Sequence, residues 1–387
     1  MFGPPGTTQE RDRVRDGLTV GLGLPPRPPR AILDQALETA LAAGADAMWT
    51  IDHSSSFIPQ SIWDEGFSPA AASAASPDQV YEYQSVLGYA AAKAPALKPA
   101  VGVTEAIRRH PAILAQAALT LSHLSDRRPI LGLGAGEREN LEPFGWPFDR
   151  PVARLEEAVS FIRMCFGSSG PFDFEGEFYP ARGAILDLEP GPAGAPEIWL
   201  AAHGPRTLAI TGRLADGWYP TVPYRPPEYG DALGRIRAAA TAAGRDLTTF
   251  TPALQCMVQL ARSDDDAHRL LDAAPVRLWS LLMPASRWAE LGHSHPLGTD
   301  HRGMVDFVPQ DFGRARIETA LAAVPYEVLE RSVFWGTVDS ISRDIAGLVA
   351  AGLRHAMLAP VPGTVPAPPG SGRSVADLAA SLMSAHR

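Results

Sequence analysis

PILGLGAGERENLEPFGWPFDRPVARLEEA, residues 129 to 158, begins as a short apolar strand and turns through three closely spaced glycines onto a carboxylate. It then crosses a loop broken by Pro143 and Pro147 and restarts as a helix after Pro151. Strand, turn and helix in that order form the repeating unit of a parallel α/β fold. The glycines invite a dinucleotide-binding reading, but the third Gly of that fingerprint falls at Glu137, and the prolines keep a regular helix from opening beneath a pyrophosphate. A carboxylate there would repel the phosphates. No Gly-Lys-Ser/Thr follows, so a phosphate-cradling loop fails too. What remains is a strand end where small residues let a flat group approach the backbone, with Glu137 beside it. Two roles stay open for Glu137: a working group of a site, or a cap on the segment that follows.

With 387 residues the chain is long enough for two ordinary domains or one large α/β barrel with insertions. Lys plus Arg number 34 against 43 Asp plus Glu, a formal charge of −9, which argues against a nucleic-acid partner because phosphate backbones are held by a basic face. Cys165 and Cys256 are far apart, so neither a disulfide framework nor a zinc spacing is present, and a cytoplasmic location is expected. The N-terminal MFGPPGTTQERDRVRDG has no signal-peptide apolar run. Nowhere do about 18 apolar residues follow one another, the length a spanning helix needs, so no integral membrane segment is expected.

Outward from the opening stretch, the same unit recurs. Before it come a strand at Leu18 to Leu22, a helix at Ala31 to Ala43 stopped by Gly44, a strand at Ala45 to Ile51, a helix at Asp78 to Lys93, a strand at Leu97 to Val103 and a helix at Pro111 to Leu124. After it, a helix at Arg154 to Phe166 and a hairpin excursion over Pro171 to Pro190 precede strands at Ile198 to Ala202, Asp216 to Thr221 and Pro252 to Leu260. Helices are expected after each of these three, the last two over Tyr229 to Ala243 and from Asp264 to Leu271. Residues 275 to 330, rich in Pro and Trp, read as an insertion. The pattern resumes at Val333 to Trp335, with a helix over Val338 to Ala351, an eighth strand at His355 to Leu358 and a last helix from Ser374 to Ser384. Eight near-continuously apolar strands in βα order predict a TIM barrel, and no linker splits the chain, so 1–387 is expected to be a single domain with a polar leader at 1–17.

In such a barrel the carboxyl ends of the strands form the active face. Asp52-His53, Thr104, Glu137, Asn140 and His203 stand at the ends of the second, third, fourth and fifth strands, so one mouth would gather them. The loop from Ser54 to Pro77 is long enough to be functional rather than a mere connector.

Those residues carry a resemblance. Asp52-His53, Thr104 with Arg108-Arg109-His110-Pro111 and Ala115-Gln116, GLGAGEREN at 132–140 and WLAAHGPR at 199–206 resemble the luciferase-like family, and within it the coenzyme F420-dependent branch. The nearest likeness in that branch is to phthiodiolone/phenolphthiodiolone dimycocerosate ketoreductases. It is carried by Glu137-Arg138-Glu139, Glu142-Pro143, PEIWLAAHGPR, the TGR and AD at 211–216 and the HP at 295–296. The resemblance implies a TIM barrel, commonly homodimeric, that holds a deazaflavin at its mouth. It implies a cis non-proline peptide at Val101-Gly102, with Asp52, Thr104, Asn140 and His203-Gly204-Pro205-Arg206-Thr207 at cofactor-binding positions and His53 and Glu137 as the acid/base pair. A tryptophan that some relatives place four residues after the histidine is Phe57 here, so roles from sugar-phosphate-oxidising relatives do not carry over to it or to Trp63.

The residue types suit that chemistry. A deazaflavin moves hydride as a two-electron carrier, so the protein has to position the carbon and manage a proton, and imidazole titrates near working pH. The expected substrate is a small or lipid-like carbonyl compound or its alcohol, with Phe57, Trp63, Trp279 and Trp288 as candidate walls of an apolar pocket. FMN with oxygen chemistry is the alternative cofactor reading, and a non-catalytic barrel binding a flavin-like ligand is a third. His293, Ser294, His295 and His301 complete no familiar ligand spacing, so no metal is expected, and no nucleophile-elbow sequence supports hydrolysis.

Overall fold

The computed structural model describes residues 17 to 385, so all of the expected leader except Gly17 lies outside the described residues. Its strands are β1 (Thr19–Gly23), β2 (Ala47–Thr50), β3 (Lys98–Thr104), β4 (Ile130–Leu133), β5 (Phe172–Phe174), β6 (Ala181–Ala184), β7 (Glu197–Leu200), β8 (Gly217–Trp218), β9 (Thr251–Leu260), β10 (Phe334–Gly336) and β11 (His355–Pro360). Strands β1, β2, β3, β4, β7, β8, β9 and β11 pair in that order, all in parallel, and β11 closes onto β1. The barrel expected from the βα rhythm is therefore closed, with eight strands. The β5–β6 hairpin is antiparallel and stands outside it. The segment expected at 333–335 forms β10, which adds to residues 258–260 of β9 and is not one of the eight.

Burial on both faces explains why these strands read as continuous apolar runs: every residue of β2, β4 and β7 is buried. Alternate residues face opposite ways. Ala47, Trp49, Ala100, Ile130, Trp199, Tyr219, Ala253 and Met357 fill the lumen, where Trp49 stacks on Tyr219 with ring centroids 4.4 Å apart. Met48, Leu131, Ile198, Leu254 and Cys256 meet the outer helices. At the amino ends of the strands, Lys98 Nζ and Glu197 Oε1 pair at 3.0 Å, and Trp199 Nε1 donates to Glu197 Oε2 at 2.9 Å.

The helix expected from Asp78 starts later, at Tyr83–Lys93. Asp78 is drawn into the preceding loop, accepting from Ser56 N at 2.8 Å and Gln60 Nε2 at 2.6 Å, and Glu82 caps the helix through Ser85 N. The 275–330 segment is helical over Ala274–Leu281, Ala285–Ala289, Arg314–Ala322 and Tyr326–Ser332. Its Trp279, Trp288, Phe307 and Val328 share one apolar cluster with Ile58, Ile62 and Phe67 of the long loop after β2 and with Met257 of β9. Loop and insertion thus pack on each other beside the carboxyl ends of the strands. Among the described residues no helix is long and apolar enough to cross a membrane.

Candidate active site

The site is assembled by three consecutive strand ends. Beyond β2 the chain delivers Asp52 and His53; β3 ends on Thr104 and continues into Glu105 and Arg108; β4 leads through the glycine turn to Glu137, Glu139 and Asn140. Gly132 in β4 is glycine because a Cβ there would stand 2.1 Å from the Val101 carbonyl oxygen of β3. The two strands touch backbone to backbone at that point, and the β3–β4 register shifts between Val101 and Thr104. The cis peptide lies within this irregularity, at Gly102–Val103, one bond beyond the expected Val101-Gly102. Gly102 itself faces inward, where a Cβ would come within 2.9 Å of both Trp49 and Tyr219, so it sits directly on the aromatic floor of the mouth.

His53 lies between two carboxylates. Its Nδ1 is 2.5 Å from Glu139 Oε1, and its Nε2 is 3.5 Å from Glu137 Oε2. Glu139 is fully buried and also accepts from Ser55 Oγ at 3.0 Å. Burial alone would push the imidazole down, but the charges of Glu139 and Glu137 outweigh it and hold His53 at about 9. Burial pushes the Glu137 carboxyl up; His53 pulls it back and Glu139 pushes it further, leaving it at about 7. Glu137 sits at the N-cap position of the Arg138–Leu141 turn, yet its side chain makes no capping hydrogen bond. Of its two open roles, the capping one is therefore absent, and the carboxylate turns toward His53 instead.

The remaining expected residues divide between this network and its surroundings. Asp52 is buried and paired: Oδ2 accepts from Thr104 Oγ1 at 2.6 Å and from Arg109 Nη1 at 2.7 Å, with Arg108 Nη2 at 3.0 Å. Arg108 also holds Glu105 and the Asp52 carbonyl. Asn140 Oδ1 accepts from Ser54 N at 2.9 Å, tying the β4 turn to the β2 loop. Past β7, which adjoins β4, the exposed His203 bonds Thr221 Oγ1 at 3.2 Å and its backbone N–H donates to Thr207 Oγ1. Gly204 opens the helix Pro205–Leu214 without a side-chain cap, while Arg206 is engaged by Glu156 at 3.2 Å. Phe57 meets His53 edge-on at 4.9 Å. Trp63 donates to the Ala74 carbonyl at 2.7 Å. Trp288 is fully buried and Trp279 nearly so, which makes both core side chains of the insertion rather than walls of the mouth. His295 is likewise internal, its Nε2 on the Leu281 carbonyl and its Nδ1 accepting from Leu297 N. Sequence reasoning assigned no role to Glu139, Ser55 or the paired Arg108 and Arg109: Glu139 meets His53 and Ser55 across 86 and 84 residues of chain, and the two arginines reach Asp52 across 56 and 57.

His53, Glu137 and Glu139 bring ligand-type atoms within 4.8 Å of one another, and a hydrogen bond joins His53 Nδ1 to Glu139 Oε1. An imidazole flanked by two carboxylates is an arrangement that can hold and pass a proton. A cavity of about 80 Å³ between Leu260, Leu270, Pro360, Thr364 and Val375 includes none of these residues and is too small for a tricyclic ring.

The family model described as luciferase-like monooxygenase matches residues 13–355. The chain belongs to the luciferase-like family. This luciferase-like protein is 40% identical over 334 residues to a phthiodiolone/phenolphthiodiolone dimycocerosates ketoreductase of Mycobacterium tuberculosis, covering 86% of this chain and 88% of the relative. It is 34% identical over 185 residues to an F420-dependent glucose-6-phosphate dehydrogenase of Nakamurella multipartita, covering 46% of this chain and 52% of that one. In fold it matches an F420-dependent secondary alcohol dehydrogenase solved with an F420-acetone adduct, at a TM-score of 0.71 and 18% identity over 96% of this chain and 98% of the other.

Proposed function

We propose that this luciferase-like protein is a coenzyme F420-dependent oxidoreductase that interconverts a carbonyl compound and its alcohol, working as a ketone reductase on an apolar, lipid-like substrate. The observation that carries the reading is His53 between two carboxylates at the barrel mouth, a proton-handling centre beside a floor suited to a flat ring. The ketoreductase and F420-dependent relatives support the same chemistry. When bound, F420 supplies hydride at its deazaflavin ring carbon. Glycine at 102 keeps side-chain bulk off the mouth floor. The uncapped first turn of Pro205–Leu214, behind His203 and Gly204, offers backbone N–H groups of Arg206 and Thr207 to a phosphate. His53 Nε2 holds the proton that a carbonyl oxygen takes as it becomes a hydroxyl, and Glu137, 3.5 Å away, restores it. Phe57 and Trp63 would border the substrate. The working unit is a homodimer of single-domain chains in the cytoplasm.

The test is a fluorescence titration of purified protein with F420 and, separately, with FMN at fixed salt, followed by assay with reduced F420 and a series of ketones. The expected result is F420 binding at micromolar or tighter Kd, negligible FMN binding, and rates that rise with ketone chain length. Preference for FMN would overturn this reading in favour of an oxygen-using monooxygenase, and oxygen uptake would then be measured.

A further inference from the structure

We infer that Glu139 is a positioning residue that fixes His53 as a proton donor, and that this arrangement tunes the site for carbonyl reduction over alcohol oxidation. The inference rests on the oxidoreductase reading above and gives its reducing direction a cause in named residues. Glu139 is fully buried, and among the described residues its one ion-pair partner is His53; Arg108 is committed to Asp52 and Glu105. A buried carboxylate without a counter-charge is costly, so the pair holds one proton between Oε1 and Nδ1 at 2.5 Å. Ser55 Oγ occupies the other oxygen, which leaves the carboxylate no second orientation.

The consequence for Nε2 follows from proton counting. With the shared proton on Nδ1 the ring is imidazolium and Nε2 carries hydrogen. With the shared proton on Glu139 the ring is neutral, Nδ1 accepts, and Nε2 again carries hydrogen. Both forms of the protonated pair therefore present a donor toward Glu137 and the open side of the mouth. Only loss of a whole proton leaves Nε2 bare, the state that alcohol oxidation needs. In the reducing direction hydride adds to the carbonyl carbon, the C=O π pair becomes a lone pair on oxygen, and Nε2–H supplies the proton, while the reduced deazaflavin gives up two electrons. The charged groups around the imidazole are Glu137 and Glu139 from the β4 turn, Asp52 beside it in the chain, and Arg108 and Glu105 beyond β3. Burial works against a charged ring, but the carboxylates of Glu139, Glu137 and Asp52 outweigh it and hold His53 at about 9.

The test is Glu139→Gln, with Glu139→Asp and Ser55→Ala beside it. The pH profile of kcat/KM is read for ketone reduction with reduced F420 and for alcohol oxidation with F420. The imidazole nitrogens of His53 are followed by NMR titration of the cofactor-free protein. Glu139→Gln should lower kcat for reduction about 10- to 100-fold with KM nearly unchanged, the range seen when a group supporting a reactive histidine is removed. Its basic limb should move at least about one pH unit toward acid. Glu139→Asp should recover part of both effects. Ser55→Ala, which keeps the fold if Glu139→Gln does not, should shift the limb the other way, because an anion that loses a hydrogen bond holds its proton harder. In the NMR arm, the wild-type ring stays protonated above pH 8 and the Glu139→Gln ring does not. An ordinary imidazole titration in the wild-type protein, or unmoved limbs in Glu139→Gln and Ser55→Ala, would overturn the inference. If F420 supports no turnover while the NMR difference appears, Glu139 keeps its positioning role; the proposed activity and the direction assigned to it fall.

Discussion

Each nitrogen of His53 faces a glutamate, and that single fact sets the pH behaviour of the site. His53 is held at about 9 against an ordinary 6.5, and Glu137 at about 7 against 4.5. Both folded values lie above the unfolded ones, so each contribution to stability is complete at low pH and lost as pH rises. Glu137's is whole below 4.5 and gone above about 7; that of His53 is whole below 6.5 and gone above about 9. The melting temperature is therefore expected to decline from pH 5 to 9 through these groups, and Glu137→Gln should remove the part of the decline below pH 7, as calorimetry across that range would show. His53→Ala should bind F420 with wild-type affinity yet lose on the order of 10²- to 10⁴-fold in kcat, the usual weight of one general acid. Unchanged turnover in that variant would take His53 out of the mechanism.

At the scale of elements, the β3–β4 contact does for the mouth what the glycine turn suggests at first sight for a nucleotide. Gly132 is small because strand β3 lies against it, with Val101 O 2.1 Å from where a Cβ would be. Gly132→Ala cannot be absorbed by a side-chain rotation, since the obstacle is backbone. The two strands must part, at a cost of about 1–3 kcal/mol. Because β3 carries Thr104 and β4 leads to Glu137, the same change should weaken F420 binding as well as lower the denaturation midpoint. Wild-type binding in a destabilised Gly132→Ala protein would mean that the register irregularity is structural only.

For the whole molecule, the insertion at 275–330 and the loop at 54–77 behave as one apolar unit beside the mouth. Phe307 is fully buried, stacked on Phe312 at 4.7 Å, and belongs to the cluster that holds Ile58 and Ile62. Phe307→Ala should cost about 3–5 kcal/mol. It should also raise hydrogen exchange in residues 54–68, far away in sequence, because that loop loses the surface it packs on; exchange confined to 300–312 would show that the two segments are independent. Ion pairs add to the join from the other side: Arg138, next to Glu137, donates to Asp306 of the insertion at 3.2 Å, and Arg302 holds the same carboxylate.

Much of this was legible in the chain itself. Strands buried on both faces must be apolar throughout, and the helices between them must present a stripe every 3.6 residues, so the barrel's strands, their order and the face that carries His53, Glu137 and Asn140 follow from local pattern. Limits appeared where local pattern competes with distant partners: the helix at Tyr83–Lys93 begins late because Asp78 is claimed by Ser56 and Gln60. The tryptophans of the insertion looked like pocket walls because an aromatic side chain reads the same in a core and in a cleft; burial of Trp288 assigns it to the core. The sequence by itself determined the architecture and which strand ends meet. Only the tertiary structure could decide that Glu139, read in GEREN only as part of a family likeness, lies 2.5 Å from a histidine 86 positions earlier, since hydrogen bonding acts over ångströms in space and leaves no period in the chain.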